Sequence, residues 1–512
     1  IEYHDDGRRS ITDGLGRVIT HTYNSQLLLV GTTDALGRGE SFALDENYNR
    51  TESRDKNNNP TQYTKTELGL TTHIVDAQNN LTQFEYDANN NLVKTIDARN
   101  KMTWNLYDSR NNLISTTNHL GHSTFYSYNA QGQQTSVTDA NDNTTYYDYD
   151  SLGQRTVITD ALGYTTRYEY DDVGRLLRTI DPSTGSGQVG KVTLNEYDAG
   201  DNLVKVTENY LEGQPQNHQN EYNLVTEYTY DGAGRRLTTT DTRSTGSGQA
   251  LGRVSRSEYD AAGRLVRTIQ NESTNTDPNE YNLTTEYVYD DAGNQVATID
   301  TMGRETRTEY DELNRVERTI VNYVGDGNYD SNQPDQNIET RFEYDANGNL
   351  VSTFDLLNRE TRTEYDDLNR VERTIINYKD GTYNAAQPDE DLITAYTYNE
   401  VGSQETSTDP LGRVTTYSYD DLNRAESITN PLGDSTSYSY DPAGNRLTTT
   451  DAAGRTASVQ YDALNRAITT SNALNGQSSV TFDEVGNRLS STDANGHTTS
   501  LLYDSLYRLI ET

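Results

Sequence analysis

Thr166-Arg167-Tyr168-Glu169-Tyr170-Asp171, followed by Asp172-Val173-Gly174-Arg175 and then Leu176–Ile180 (LLRTI), is the stretch that decides the fold. Thr166, Tyr168 and Tyr170 fall on one side of an extended chain, and Arg167 and Glu169 fall on the other. Period-two alternation is the mark of a half-buried strand. Asp171-Asp172-Val173-Gly174-Arg175 reads as a tight turn, because Asp suits the start and Gly the left-handed position that ends it. Leu176–Ile180 reads as a second strand, but its weaker alternation leaves its inner face unassigned. Asp160-Ala161-Leu162-Gly163-Tyr164 is a second turn of the same kind. One unit is therefore two strands and two turns, and a short hairpin loop with a G1 bulge fits both turns.

The unit recurs along the chain. Tyr86, Tyr107, Tyr128, Tyr149 and Tyr170 are each 21 residues apart, and so are Tyr419, Tyr440, Tyr461, Phe482 and Tyr503. Asp follows most of these rings, as Asp87, Asp108, Asp150, Asp171, Asp420, Asp441 and Asp462. Gly and Asn exchange at the turn's end: Gly174 and Gly444, but Asn314 and Asn465. That exchange is what a need for positive φ predicts. These Tyr and Asp residues, with Gly174, Arg175 and Gly444, are singled out as structural repeat positions. Counting degenerate copies at Tyr3, Tyr23, Leu44 and Lys65, the whole chain 1–512 reads as one continuous array of about 22 units. Between about 170 and 398 the units pair into longer blocks with inserts. Gly303–Tyr323 and Asn358–Tyr378 are nearly identical, which points to block duplication.

Composition agrees with strands and opposes a thick core. Only 32% of the 512 residues are hydrophobic, yet there are 39 Tyr against 6 Phe and 1 Trp. Disordered chains are poor in aromatics, whereas Tyr favours strands and carries a hydroxyl that can be bonded. The chain has no Cys, so disulfides and thiolate metal sites are excluded. Its net charge of -37 repels nucleic acid and anionic membrane surfaces. No stretch approaches the roughly 20 apolar residues of a membrane span. Both ends fall inside the repeat, so the chain reads as a fragment of a longer protein. Some 44 short strands cannot lie flat, because open sheets beyond about 10 strands curl or split. The expected fold is all-β: an antiparallel meander wound into a spiral, either a narrow solenoid or a hollow shell.

The pattern Tyr-Asp-x-x-Gly-Arg/Asn-Leu, seen at Tyr170–Ile180 and Tyr440–Thr456, resembles the YD repeat of Rhs proteins, teneurins and the cocoon subunits of Tc toxins. The resemblance covers essentially the whole chain. It implies a β-sheet spiral that in the toxin relatives encloses a toxic segment, and a secreted or bacterial cell-surface location. It also implies partners: an in-chain cargo segment, further copies in a fibre, or surface glycans. Asp409-Pro410-Leu411-Gly412 resembles the start of the motif that closes the Rhs repeat region, but ordinary units continue after it.

No enzyme is expected. His119 and His122 form a His-x-x-His pair without a third ligand nearby, and a polar turn is the simpler reading. Asp139-Ala140-Asn141-Asp142-Asn143 offers oxygen ligands but lacks EF-hand spacing, and turn chemistry explains it. Gly185-Ser186-Gly187 and Gly246-Ser247-Gly248 lack the Lys-Ser/Thr of a phosphate loop. Adjacent acids such as Asp171/Asp172 say little in so acidic a chain. No catalytic residue, metal ligand or cofactor is assigned. Rows of Tyr are read as a packing layer ahead of a sugar-binding face. The leading function is a structural shell or scaffold section; the alternative is an extracellular fibre or adhesin. The inserts, among them Asn322–Asn337 and Asn377–Asp391, all replace the second turn, so that rim is expected to be open and the first-turn rim confined. Stability should rise with ionic strength, because salt screens the excess negative charge; melting temperatures at low and physiological salt check this.

Overall fold

The computed structural model describes residues 1–12, 16–183, 190–214, 222–241, 253–273, 280–325 and 327–512. Those residues form 45 strands and no helix. Of these, 43 belong to one antiparallel sheet, and Leu502–Tyr503 with Leu509–Glu511 make a separate hairpin. Strands of the long sheet pair with their sequence neighbours. Thr165–Tyr170, for example, lies between Arg155–Thr159 and Leu176–Ile180. The meander expected from the turn spacing is thus the fold.

The alternation is real at the level of burial. In Thr165–Tyr170, Arg167 and Glu169 are exposed while Thr166, Tyr168 and Tyr170 are half-buried. Ser123–Tyr128, Thr144–Tyr149 and Ser435–Tyr440 repeat the pattern. The exposed face is tied by cross-strand pairs. Lys94 meets Glu85 at 2.9 Å, Lys205 meets Glu196 at 2.8 Å and Arg373 meets Glu364 at 2.7 Å. Such pairs contribute roughly 0.2–1 kcal/mol each.

Register also settles what sequence left open in the second strand. Tyr170 faces Leu176 and Glu169 faces Arg178, so Leu177 is an extra residue. Arg178 therefore shares the exposed face with Glu169. The same shift recurs at the end of the first hairpin of other units, as at Tyr149 and Tyr419. The second hairpin has no such shift; Ile158 faces Thr166 and Thr159 faces Thr165.

Two compact units are present: residues 1–104 with 285–433, and residues 105–284 with 434–512. Each joins an earlier run of strands to a later one. Apolar burial is sparse. Among the described residues, Leu224, Ile269, Ala297, Ile320 and Ile375 are the buried hydrophobic side chains, with Ile320 and Ile375 fully enclosed. Ladder hydrogen bonds and half-buried Tyr and Thr rows carry most of the order.

Candidate functional site: two rims of turns

Both kinds of turn are closed by the same bonds. In the first turn Asp171 N donates to Arg175 O and Gly174 N to Asp171 O; in the second turn Asp160 N donates to Tyr164 O and Gly163 N to Asp160 O. Gly174 and Gly444 have φ of +94° and +100°, and Asn314 and Asn465 take the same region at +61° and +59°. The Gly/Asn exchange therefore has the backbone cause inferred for it.

The Asp of the repeat is a clip. Asp171 Oδ1 accepts the backbone N–H of Val173 and Arg175, and its Oδ2 accepts Arg175 Nε at 2.8 Å. Asp87 and Asp108 do the same with Asn91 and Asn112. Asp150, Asp420, Asp441 and Asp462 each accept the N–H of the residue four positions on. The Arg175 N–H holds the Asp171 carboxyl below its ordinary range, and the Asn112 amide does so for Asp108. The Arg413 guanidinium lowers Asp409 in a second turn.

The Tyr of the repeat is a strut. Its hydroxyl donates to the carbonyl at the start of the preceding second strand: Tyr86 to Thr71, Tyr149 to Gln134, Tyr170 to Arg155, Tyr419 to Gln404 and Tyr461 to Arg446. Where an insert intervenes the bond survives, as from Tyr398 to Val371 at 2.7 Å. Tyr107 and Tyr440 end the strands Met102–Tyr107 and Ser435–Tyr440. The residue after the turn reaches sideways. Arg175 stacks on Tyr197 and donates to Asp198 O; Arg370 stacks on Tyr398 and donates to Asn399 O. Tyr365→Phe should cost about 1 kcal/mol, since it removes the 3.0 Å bond to Leu350 O; a urea melt checks this.

Within each unit the later run returns edge-on to the earlier run. In the unit of 1–104 and 285–433, Arg17 donates to Asn314 Oδ1, Arg38 to Asp345 O, Gln78 to Asp366 and Arg99 to Asp420 O. In the other unit Asn141 donates to Asp441, and Lys191 N to the Tyr507 hydroxyl. Every one of these joins a second turn of the earlier run to a first turn of the later run. The expectation that the second-turn rim is open is therefore corrected for the earlier run, whose short second turns are covered. The first-turn rim is confined in the later run, as expected.

Sequence reasoning missed what fills this seam. First turns of the later run carry an aliphatic residue in the middle: Leu313, Leu368, Leu422, Leu464 and Leu506, all half-buried. Leu368 sits beside Asp55, Asn59 and Ala77, and Leu464 beside Asp160 and Tyr164. Leu68, Leu152 and Val173 hold the same position in early first turns and are exposed, so the residue type alone does not announce the seam. Tyr507 occupies a left-handed position at φ +65°, where most other turns have Gly or Asn, and burial pushes its hydroxyl up to about 12. Burial likewise raises Asp181, which faces it.

The inserts are closed at the neck, also unforeseen. Asn337 Oδ1 accepts Val324 N, and its Nδ2 donates to the carbonyls of Val324 and Asn328. Asn223 and Asp391 hold the same place. All three are buried. Thr242–Gly252 lies outside the described residues, as do parts of Pro182–Gly190, Asn209–Glu221 and Asn271–Glu280 and both Gly-Ser-Gly segments. His119 and His122 lie in the turn that Asn118 clips through the N–H of Leu120 and His122. Asp139 clips its own turn through Asn141 and Asn143. No cluster of His, Cys, Asp and Glu suited to a metal occurs among the described residues.

The model of the RHS repeat matches residues 66–101, 107–144, 149–186, 289–327, 398–433 and 422–456. The chain carries RHS repeats. The matched RHS segments span both first and second turns, including the clips at Asp87, Asp108, Asp150, Asp171, Asp420 and Asp441. No curated protein matches the chain. Solved structures similar to this RHS-repeat chain include the crystal structure of TcdB2-TccC3-TEV, at 14% identity and a TM-score of 0.46. That alignment covers 97% of this chain and 36% of the other. The Photorhabdus luminescens Tc holotoxin pore is similar at 14% identity and a TM-score of 0.45, with 97% and 35% covered. The chain thus spans about a third of the length of these structures. No helix among the described residues is long and apolar enough to cross a membrane.

The clips set a pH dependence. A carboxyl whose folded pKa lies below its unfolded value adds stability that is present above the unfolded value, about 3.9. That stability is lost as pH falls through the folded pKa. Asp87, Asp108, Asp171, Asp198, Asp231 and Asp260 are all shifted this way. Asp181 has the opposite sign and is one group. The melting temperature should hold between pH 7 and about 5 and drop below about pH 4. A scan by circular dichroism checks this; a melting temperature that climbs below pH 4 would show that relief of charge repulsion outweighs the clips.

Proposed function

We propose that this chain is a structural section of a secreted or surface RHS-repeat protein, with the mechanical task of walling off or displaying another segment of its polypeptide. One observation carries the reading: in each unit a later run of strands seals rim to rim against an earlier one. The seal uses Arg-to-carbonyl bonds such as Arg38 to Asp345 O and seated aliphatics such as Leu368. Rims of turns sealed against one another in this way make a continuous wall. The proposal assigns no catalysis to the chain. Particle images or small-angle scattering of the purified chain test it. A particle with a low-density centre is expected, and a rod with a filled axis would overturn the reading.

The fibre or adhesin reading has its own support in the later run, where second turns such as Met302 and Leu411 remain exposed.

A further inference from the structure

Between Arg110 and Asp139 the sequence has no Asp, Glu, Lys or Arg, the longest such run in a chain that is 24% charged. The run covers Leu113–Thr117, Ser123–Tyr128 and Gln134–Thr138, three strands side by side in the second compact unit. On their exposed face stands Phe125, opposite Ser115 on one side and Thr138 on the other, and it is 52% exposed. Tyr146, in the next strand, stands opposite Ser136 and Thr159 and is 55% exposed. Leu106, in the strand before the run, is exposed as well. Most other units carry polar or charged residues at the place of these rings, as Arg167, Glu227 and Ser437.

Rings and small hydroxyl residues alternate across this face. Phe125 is level with Thr138 and Tyr146 with Ser136, so the two rings lie two strands and two residues apart, about 12 Å by strand geometry. The strand between them presents Ser136 and Thr138, which leave a gap. Half the spacing is about 6 Å, inside the roughly 4.5–7 Å at which aromatic rings pair, so the gap admits one more ring. Asp148, the acid of this strand, lies two residues beyond Tyr146 and away from Phe125. Apolar sheet faces are ordinarily covered by another layer, and a second sheet is one such layer.

We propose that this face docks the same face of a second copy of the chain about a two-fold axis. Phe125 of each copy then lies between Phe125 and Tyr146 of the other, over Ser136 and Thr138. The same patch meets itself, so the contact is isologous and closes at two copies. Charge decides the occupant. Two chains of net charge -37 repel wherever their acids face each other. A cationic partner gains from the acidic remainder of the chain and has nothing to gain here. A charge-free face with open ring gaps suits a partner that is acidic elsewhere and brings matching rings, and a second copy is both. With so few rings per copy the interface is small, and the dimer is of the weak, transient class. The inference goes beyond the enclosure reading: a hollow particle that stays monomeric would overturn it and leave that reading standing.

Sedimentation velocity on the full chain, across the micromolar range and at low and physiological salt, tests it. The wild type should show a monomer–dimer equilibrium and nothing larger, tighter at physiological salt because screening weakens the repulsion. Phe125→Ser/Tyr146→Ser should raise the dimer Kd by about tenfold or more. Ser437 and Ser458 hold the same place in later units, so this variant keeps a residue the strand accepts. Ser136→Arg keeps both rings and fills the gap between them, and it should be monomeric too. Arg178 holds that place two units on, opposite Glu169. A monomeric wild type, assemblies beyond the dimer, either variant dimerising like wild type, or a dimer that weakens as salt rises would each overturn the proposal.

Discussion

Replacing Ile375 by alanine is expected to destabilise its unit by about 2–5 kcal/mol, the range for emptying a fully buried aliphatic site. Ile375 is fully enclosed, one of very few such residues among those described. It faces Arg362 across the ladder, on the face that is exposed elsewhere. The insert after it makes that face a core: Tyr378 N donates to Glu360 O, and its ring stacks under Arg362. The block copy does the same, with Ile320 opposite Arg307 and Tyr323 over it. Neighbouring strands cannot compensate, because repeat stability is a sum of local terms. Urea unfolding of Ile375→Ala against Ile376→Ala separates the two positions. Ile376 is next in sequence but 52% exposed, and its truncation should change stability by about 0.5 kcal/mol or less. Equal effects from both would mean that the insert does not build a core.

The fold was legible because it rests on short-range chemistry. Tyr168 and Tyr170 against Arg167 and Glu169 gave the strand faces, and the Gly174/Asn314 exchange gave the turn backbone. Those signals live within one unit. What could not be read was anything between units far apart in sequence. Arg38 and Asp345 are 307 residues apart, and nothing local to either marks the pairing. The open second-turn rim was inferred from insert positions alone, and loops do grow where they meet solvent. That reasoning holds for the later run, but short second turns such as Asp34–Arg38 were short because another run covers them. Leu313, Leu368 and Leu464 look like any exposed turn residue, because Leu68 and Leu152 hold the same place in earlier units and are exposed. Buried necks were hidden for a different reason. Asn223, Asn337 and Asp391 sit in polar inserts of unequal length, so no fixed spacing announces them.

Asn337→Ala is expected to cost on the order of 3 kcal/mol, from unsatisfied buried groups and a left-handed backbone that alanine disfavours. Asn337 is 6% exposed, with φ of +51°. Its amide makes three bonds across the neck, one accepted and two donated. Asn337→Gly keeps the backbone permitted and loses the bonds, so it should fall between wild type and alanine. Asn337→Asp is the sharper variant. It still accepts Val324 N, but its second oxygen would face the carbonyls of Val324 and Asn328. Protonation would let that oxygen donate, so this variant should lose less stability in mild acid than at neutral pH, relative to wild type. The chain contains the reverse case. Both Asp391 oxygens accept N–H groups, from Lys379, Gly381 and Asp380. Burial pushes its pKa up, but those N–H groups outweigh burial and hold it below the usual range. Asp391→Asn could keep an oxygen toward Lys379 N and Gly381 N but would turn an NH2 toward Asp380 N, and should destabilise as well. Unfolding of all four variants at neutral and mildly acidic pH measures this; an Asn337→Asp deficit that does not shrink in acid would show that the neck carbonyls do not set the preference for Asn.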